Sequence, residues 1–173
     1  MLPVDPAVAI VDEFIAGMRK AFKPDDAVAP PMGGGSVDVW TFAGDGALPD
    51  ASVCKKGEPF LWVRLDRRYR VRDSQFPSAF VGVEKCAVPD IQRAVAVEVG
   101  VARCTTMDAR PKRSVLEDEA TIGIDDSWRV DLALCIAEKA LRKAGHAVAV
   151  DTVAPMGPEG GLVAWSGMAY VQY

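Results

Sequence analysis

Apolar and polar positions along this chain follow two different periods, and the switches between them mark its elements. Asp5-Pro6 reads as a helix start, because an Asp side chain caps the first amides and Pro at the first helical position gives up no hydrogen bond. Val11, Phe14, Ile15, Met18 and Phe22 then fall on one helical stripe, and Pro24 ends it. Residues 25–36, with Pro30-Pro31 and Gly33-Gly34-Gly35, read as a loop.

The period then drops to two. Val37-Asp38-Val39-Trp40-Thr41-Phe42 is a short strand closed by Gly44-Asp45-Gly46, and residues 44–57 form a second loop. Phe60-Leu61-Trp62-Val63-Arg64-Leu65 opens a longer strand that runs through Arg67, Arg68, Arg70 and Arg72 to Phe76-Pro77-Ser78. Strict alternation puts Arg64, Arg68, Arg70 and Arg72 on one face, with Leu65, Arg67, Tyr69 and Val71 on the other. In Ile91 to Cys104, Val95, Val97, Val99 and Val101 share a face; opposite them Ala94, Ala96, Glu98, Gly100 and Ala102 leave room for a close-packed helix.

Residues 105–121 read as a long polar excursion, with Arg110, Lys112 and Arg113 ahead of an acidic run. A second helix is expected from about Asp126 to Ala144, capped by Asp125, Asp126 and Ser127. Val130, Leu134, Ala137, Leu141 and Ala144 form its stripe, Arg142 and Lys143 suit its C-terminal dipole, and Gly145 takes the left-handed cap. Ala147 to Ala154 and Leu162 to Tyr173 flank Gly157-Pro158-Glu159-Gly160-Gly161 as a hairpin. With no repeat and no second core, residues 1–173 read as a single α+β domain, a mostly antiparallel sheet of about five strands packed against two helices, with long loops.

Composition narrows this little. Half the 173 residues are apolar and a quarter are charged, as in ordinary globular domains. No apolar run nears the roughly 18 residues of a membrane span, and residues 1–20 lack the pattern of a signal peptide, so an intracellular protein, or part of a particle assembled inside a cell, is expected. Cys54, Cys86, Cys104 and Cys135 share no CxxC spacing, and His146 is the only histidine, so no metal site is expected. The thiols read as small buried hydrophobes in a reducing compartment.

The net charge of -4 argues against a dedicated nucleic-acid binder. Its distribution is more informative. Arg64, Arg67, Arg68, Arg70 and Arg72 cluster in one strand, while Glu117, Asp118 and Glu119 form an acidic run. Opposite charges in separate segments suit a chain that docks on copies of itself.

The usual catalytic patterns are missing. Gly157-Pro158-Glu159-Gly160-Gly161 and Gly33-Gly34-Gly35-Ser36 lack the lysine of a phosphate loop. His146 follows a cap glycine and has no nucleophile elbow to serve, so a turn role is expected for it. The acidic pairs lack the partners that acid–base or metal chemistry needs. No catalytic residue and no cofactor is therefore expected. A nucleic-acid module on the Arg64–Arg72 strand, with Phe60, Trp62 and Tyr69, is the alternative. The aromatics mostly precede the arginines, however, and arginine with aromatics is also what buried subunit contacts favour.

The order of features resembles the tail terminator and head–tail neck proteins of long-tailed phages of actinobacteria. The matching landmarks are Phe60-Leu61-Trp62-Val63-Arg64, Phe76-Pro77, Cys86, the strand from Ala94 to Cys104, the helix with Trp128 and Cys135, and the stretch from Gly157 to Gly167. The resemblance implies a non-enzymatic virion protein, assembled in the host cytoplasm, that forms a ring of six copies. Such a ring caps the tail tube, ends polymerisation of the major tail tube protein and offers a surface to the head-side stopper. DNA passes through its lumen unread, and no membrane is involved. A head–tail stopper or adaptor of the same neck is the neighbouring alternative. A closed ring needs two complementary patches on each copy. Arg67, Arg68 and Arg70 of one copy against Glu117, Asp118 and Glu119 of the next are the expected pair, with Arg64 and Arg72 beside them.

Overall fold

The computed structural model describes residues 5–44, 58–82 and 91–173. The expected loop at 44–57 therefore lies almost wholly outside the described residues, as do Cys54 and Cys86. Helix α1 spans Pro6–Ala21, and the Asp5 side chain accepts from the Ala7 amide, as the sequence predicts. Ile10, Phe14 and Met18 are fully buried along its stripe. Strands β1 (Val39–Ala43), β2 (Phe60–Arg72) and β3 (Ile91–Cys104) follow, then α2 (Arg113–Lys143), β4 (Ala147–Val150), β5 (Ala154–Glu159) and β6 (Leu162–Gln172). Among the described residues the sheet is ordered β1-β2-β3-β6-β4, with β5 also paired to β6, and only the β1–β2 pairing is parallel. This is the mostly antiparallel α+β fold expected, with six strands among the described residues.

The main core lies between the two helices and one face of the sheet. It joins Ile10, Phe14 and Met18 of α1, the valines of β3, and Val130, Leu134 and Leu141 of α2. The β3 faces are therefore assigned the other way round from expectation. Its valine face takes the helices, and its small-residue face takes Trp62, with Ala102 and Ala164, in a second cluster. Gly100 stands opposite Trp62 in the ladder, where an added Cβ would lie 2.2 Å from Cζ2 of that ring. Small residues on β3 make room for an indole, not for a helix.

Two more boundaries differ from the sequence reading. Helix α2 begins at Arg113, so Asp125, Asp126 and Ser127 sit in its middle, not at its cap, and the acidic run is helical. The Lys112 side chain makes no cap bond, and the helix starts 13 residues before the expected Asp126, held by tertiary anchors along α2 described below. The run from Ala147 to Ala154 breaks at Asp151 into β4 and β5, which pair with successive stretches of β6. Its closing turn sits at Gly160-Gly161, both at positive φ (56° and 79°), between the paired Glu159 and Leu162. That backbone is the two-residue hairpin connection for which glycine is favoured. Gly145 also takes positive φ, and His146 follows it, with Nδ1 3.2 Å from the Gln172 carbonyl oxygen.

The cysteines depart from expectation as well. Cys104 is exposed at the end of β3 and is disulfide-bonded, its partner lying outside the described residues, while Cys135 is a half-buried free thiol. The two described cysteines are thus not buried small hydrophobes.

Gly100→Val should destabilise the domain by about 2–3 kcal/mol in urea unfolding, since an enclosed indole has no free space to retreat into. Adding Trp62→Leu should restore part of that loss. Equal stability of Gly100→Val and the parent would mean that Trp62 is not seated over β3.

Candidate assembly surfaces

Two arginines with little access to water organise the end of the molecule where α1 hands over to β1. Arg129 of α2 is 3 % exposed. Its Nε donates to Asp125 Oδ2 at 2.8 Å, one helical turn earlier, and its Nη atoms donate to the carbonyls of Ala21 (2.7 Å) and Ala29 (2.9 Å). The Ala21 bond occupies a carbonyl that the end of α1 leaves open. Arg103 of β3 bonds both carboxylate oxygens of Asp126, at 2.5 and 2.9 Å, and the carbonyls of Gly33 (2.5 Å) and Gly34 (2.9 Å). Asp125 Oδ2 also accepts from the Met32 amide at 2.9 Å. Adjacent acids on one helix thus hold an arginine each, and the four side chains fasten residues 21–34 to α2 and β3.

Glycine at 33 is required by close approach: a Cβ there would lie 2.8 Å from Arg103 Cζ and 2.6 Å from Ile122 Cγ2. Burial pushes the Asp126 carboxyl up from its ordinary 3.8, opposed by its bonds to Arg103. Asp26, in the same loop, is held below that value by the amides of Ala29 and Val28, which it accepts at 2.9 Å.

Four large apolar side chains next to these anchors are exposed. Val28 is 93 %, Met32 63 %, Ile124 70 % and Trp128 51 % exposed. Each adjoins, or itself supplies, a group in the anchoring set: Ile124 and Trp128 flank Asp125 and Arg129 in sequence, Val28 precedes Ala29, and the Met32 amide bonds Asp125. Large apolar side chains on a rigid frame are what subunit contacts use.

The arginine strand is rearranged. A register shift between Leu65 and Arg67 reverses the alternation expected from the sequence. Arg64 stands opposite Glu98 and Arg67 opposite Ala96, on the small-residue face of β3, whereas Arg68 stands opposite Val95, on the helix face, with Arg70 and Arg72 two and four residues further along. The single basic face is therefore split. Arg64 pairs with Glu98 at 2.7 Å, Arg68 bonds both oxygens of Asp5 at the start of α1, and Arg72 lies over the Phe80 ring at 4.3 Å. Arg67, with a side chain 61 % exposed, faces outward most.

The acidic run is partly engaged too. Glu119 accepts from the Thr105 hydroxyl (2.8 Å) and the Thr106 amide (2.7 Å), and Glu117 pairs with Arg113 at 2.6 Å. Asp118 is exposed. The structure thus does not bring the eight expected interface residues together within one chain. Sequence reasoning missed the Arg103, Asp125, Asp126 and Arg129 set, whose signal was the pair of adjacent acids followed four residues later by an arginine.

At the β1 edge, Trp40, Phe42, Phe60 and Trp62 form a run of ring contacts; the Trp40 and Phe60 centroids are 5.3 Å apart, edge to face. Among the described residues no group of three or more His, Cys, Asp or Glu is placed to hold a metal, and no helix is long and apolar enough to cross a membrane. No protein-family model matches the chain, and no curated protein matches its sequence.

Asp126→Asn should cost about 3–5 kcal/mol in chemical unfolding, because it leaves the Arg103 guanidinium in a closed site without its countercharge. The double change Asp126→Leu with Arg103→Met should cost less than the single one. A second expectation concerns titration. The folded state lowers the Asp26 pKa, so this group's stabilisation is present above pH 3.8 and is lost as pH falls through its folded value. The folded state raises that of Asp126, so its contribution falls as pH climbs from 3.8 through its folded value. Carboxyl NMR should find Asp26 titrating below Asp126; the reverse order would contradict both assignments.

Proposed function

We propose that the protein is a structural ring component of a phage neck, of the tail terminator type, which caps the tail tube and joins it to the head-side connector. The observation that carries the assembly part of this reading is the exposed apolar group Val28, Met32, Ile124 and Trp128 on a frame of buried ion pairs. Exposed side chains of this size are stabilised when a partner covers them, and the frame presents them without further ordering cost. The specific neck assignment rests on the order of landmarks from Phe60 to Gly167, together with an α+β fold of the class that resemblance implies.

Six copies around one axis would each use two different surfaces. The charge pairing first expected between copies is narrowed to its outward members. Arg67 and Asp118 are its exposed members, Arg67 also lying 3.8 Å from Asp66 and over the Tyr69 ring, while Arg68, Glu117 and Glu119 are bonded within their own chain. The ring is proposed to contact the major tail tube protein on one side and the stopper on the other, with the genome passing through. A nucleic-acid module is less favoured, because the bulge in β2 divides the arginines between two faces of the sheet.

Native mass spectrometry should give a closed multiple of the 18.5 kDa chain, six for the ring expected. Trp128→Ala and Ile124→Asp, both on exposed positions, should leave thermal unfolding within about 2–4 °C of the parent while shifting the population toward single chains. Added to polymerising tail tube protein, the ring should shorten the tubes. A chain that stays at 18.5 kDa at all concentrations, alone and with tube protein, would contradict the reading.

A further inference from the structure

Helix α2 carries apolar side chains on two sides. Val130, Leu134, Ala137 and Leu141 are buried in the main core. On the opposite side Glu117, Thr121, Ile124, Trp128, Leu132, Cys135 and Lys139 follow at spacings of four and three, which keeps them on one line along the helix. Ile124 and Trp128 are exposed, Leu132 and Cys135 are half-buried, and the Cys135 thiol is free.

This line has a symmetry that a core-facing stripe does not need. Its spacings read the same from either end, and its centre is Trp128, which is also the middle residue of Arg113–Lys143. The apolar members occupy the middle, and the ends carry opposite charges, Glu117 at one and Lys139 at the other, both exposed. Two such helices laid antiparallel about a two-fold axis at Trp128 set each residue level with the one equally far beyond the centre. Glu117 of one copy is then level with Lys139 of the other, Thr121 is level with Cys135, and the indoles meet at the axis. A parallel pairing would set Glu117 against Glu117 and Lys139 against Lys139, which like charges oppose. Glu117 already pairs with Arg113, but by an exposed i,i+4 contact that contributes little and is exchanged at small cost. Arg142 is held by Glu138 and the Val148 carbonyl, and Lys139 is the base on the line itself.

We infer that α2 pairs antiparallel with α2 of a second copy of this chain, across a two-fold axis at Trp128. A large aromatic side chain at the centre of the contact supplies the anchor, and the charges at its two ends select the antiparallel register. The antiparallel arrangement also sets the two helix dipoles head to tail. Met32, exposed and bonded through its amide to Asp125, adds apolar area at the rim. The inference goes beyond the ring reading and does not rest on it. A two-fold contact uses the same surface of both chains, whereas a ring about one axis joins two different ones. A paired chain has Ile124 and Trp128 covered, so pairing and any ring contact through those residues exclude each other.

Cross-linking of the full chain tests the register directly. Thr121→Cys, at an exposed position, should form under mild oxidation a disulfide-linked pair of twice the 18.5 kDa chain, through Cys135 of the other copy. Adding Cys135→Ser should abolish the bridge. The parent chain should form none through Cys135, because the two copies of that residue would lie about 21 Å apart along the helices. In sedimentation without oxidant, Glu117→Lys and Lys139→Glu should each weaken pairing about tenfold, and both changes in one chain should restore it. A bridge that forms equally without Cys135, or a double reversal that pairs no better than either single one, overturns the inference. Six-chain particles with no Thr121→Cys bridge also overturn it and leave the ring reading standing. A bridged pair in a chain that never exceeds two copies supports the pairing and overturns the ring.

Discussion

The pairing of Arg103 with Asp126 and of Arg129 with Asp125 is the constraint on which the layout of this molecule depends. Each arginine reaches from the helix–sheet core to backbone carbonyls of the α1–β1 connection, so the connection has a fixed path although it contains two adjacent prolines and three adjacent glycines. Buried pairs of this kind are poor sources of net stability, because desolvation consumes most of their attraction. Their contribution is positional. Removing one partner is costly, and the alternative loop paths that would leave a guanidinium unbonded are thereby excluded.

This also accounts for the length of α2. Its first three turns carry Glu117, Asp118, Glu119 and Gly123, a stretch with weak helix stop signals and no apolar stripe to match that of its second half. The helix continues through this region because Asp125 and Asp126 are fastened on its inner side, while Glu119 bonds Thr105 and Thr106 at the end of β3. Adjacent acids ahead of an apolar stripe have two physical uses, as a cap and as partners for buried arginines. One-dimensional pattern favours the first. Only the approach of Arg103, 23 residues away in sequence, decides for the second.

What was legible in the sequence follows the same division between local and distant causes. The α1 stripe from Val11 to Phe22, the valine face of β3 and the Gly160-Gly161 turn depend on neighbours within a few residues, and all three appear where pattern puts them. The faces of β2 were not legible, because one extra residue at the bulge reverses the alternation and carries no signal of its own in Arg64 to Arg72. Nor was the occupant of the small-residue face of β3. Ala94, Ala96 and Gly100 announce that something large lies against them, and the ladder that sets Trp62 opposite Gly100 identifies it. For the candidate surfaces, the charged residues were visible and their availability was not, since Arg68 and Glu119 are each bonded by groups far along the chain.

That availability bears on function more than charge count does. Five arginines within nine residues suggest a basic stripe, yet ion pairing and the bulge leave Arg67 as the one whose outward exposure is plain. A nucleic-acid surface requires many cations on one face, because each neutralised phosphate adds a similar increment of affinity and the increments must sum along one path. An assembly surface has no such requirement. A few apolar anchors of the size of Trp128 and Ile124, held by a frame that does not move, are sufficient, and charges at the rim select register. The same sequence feature that first points to a polyanion is, once folded, mostly internal bracing between β2, β3 and the start of α1. What it leaves outside are exposed apolar side chains next to Arg129 and an aromatic run at the β1 edge, a composition better suited to contact with protein than to a polyanion.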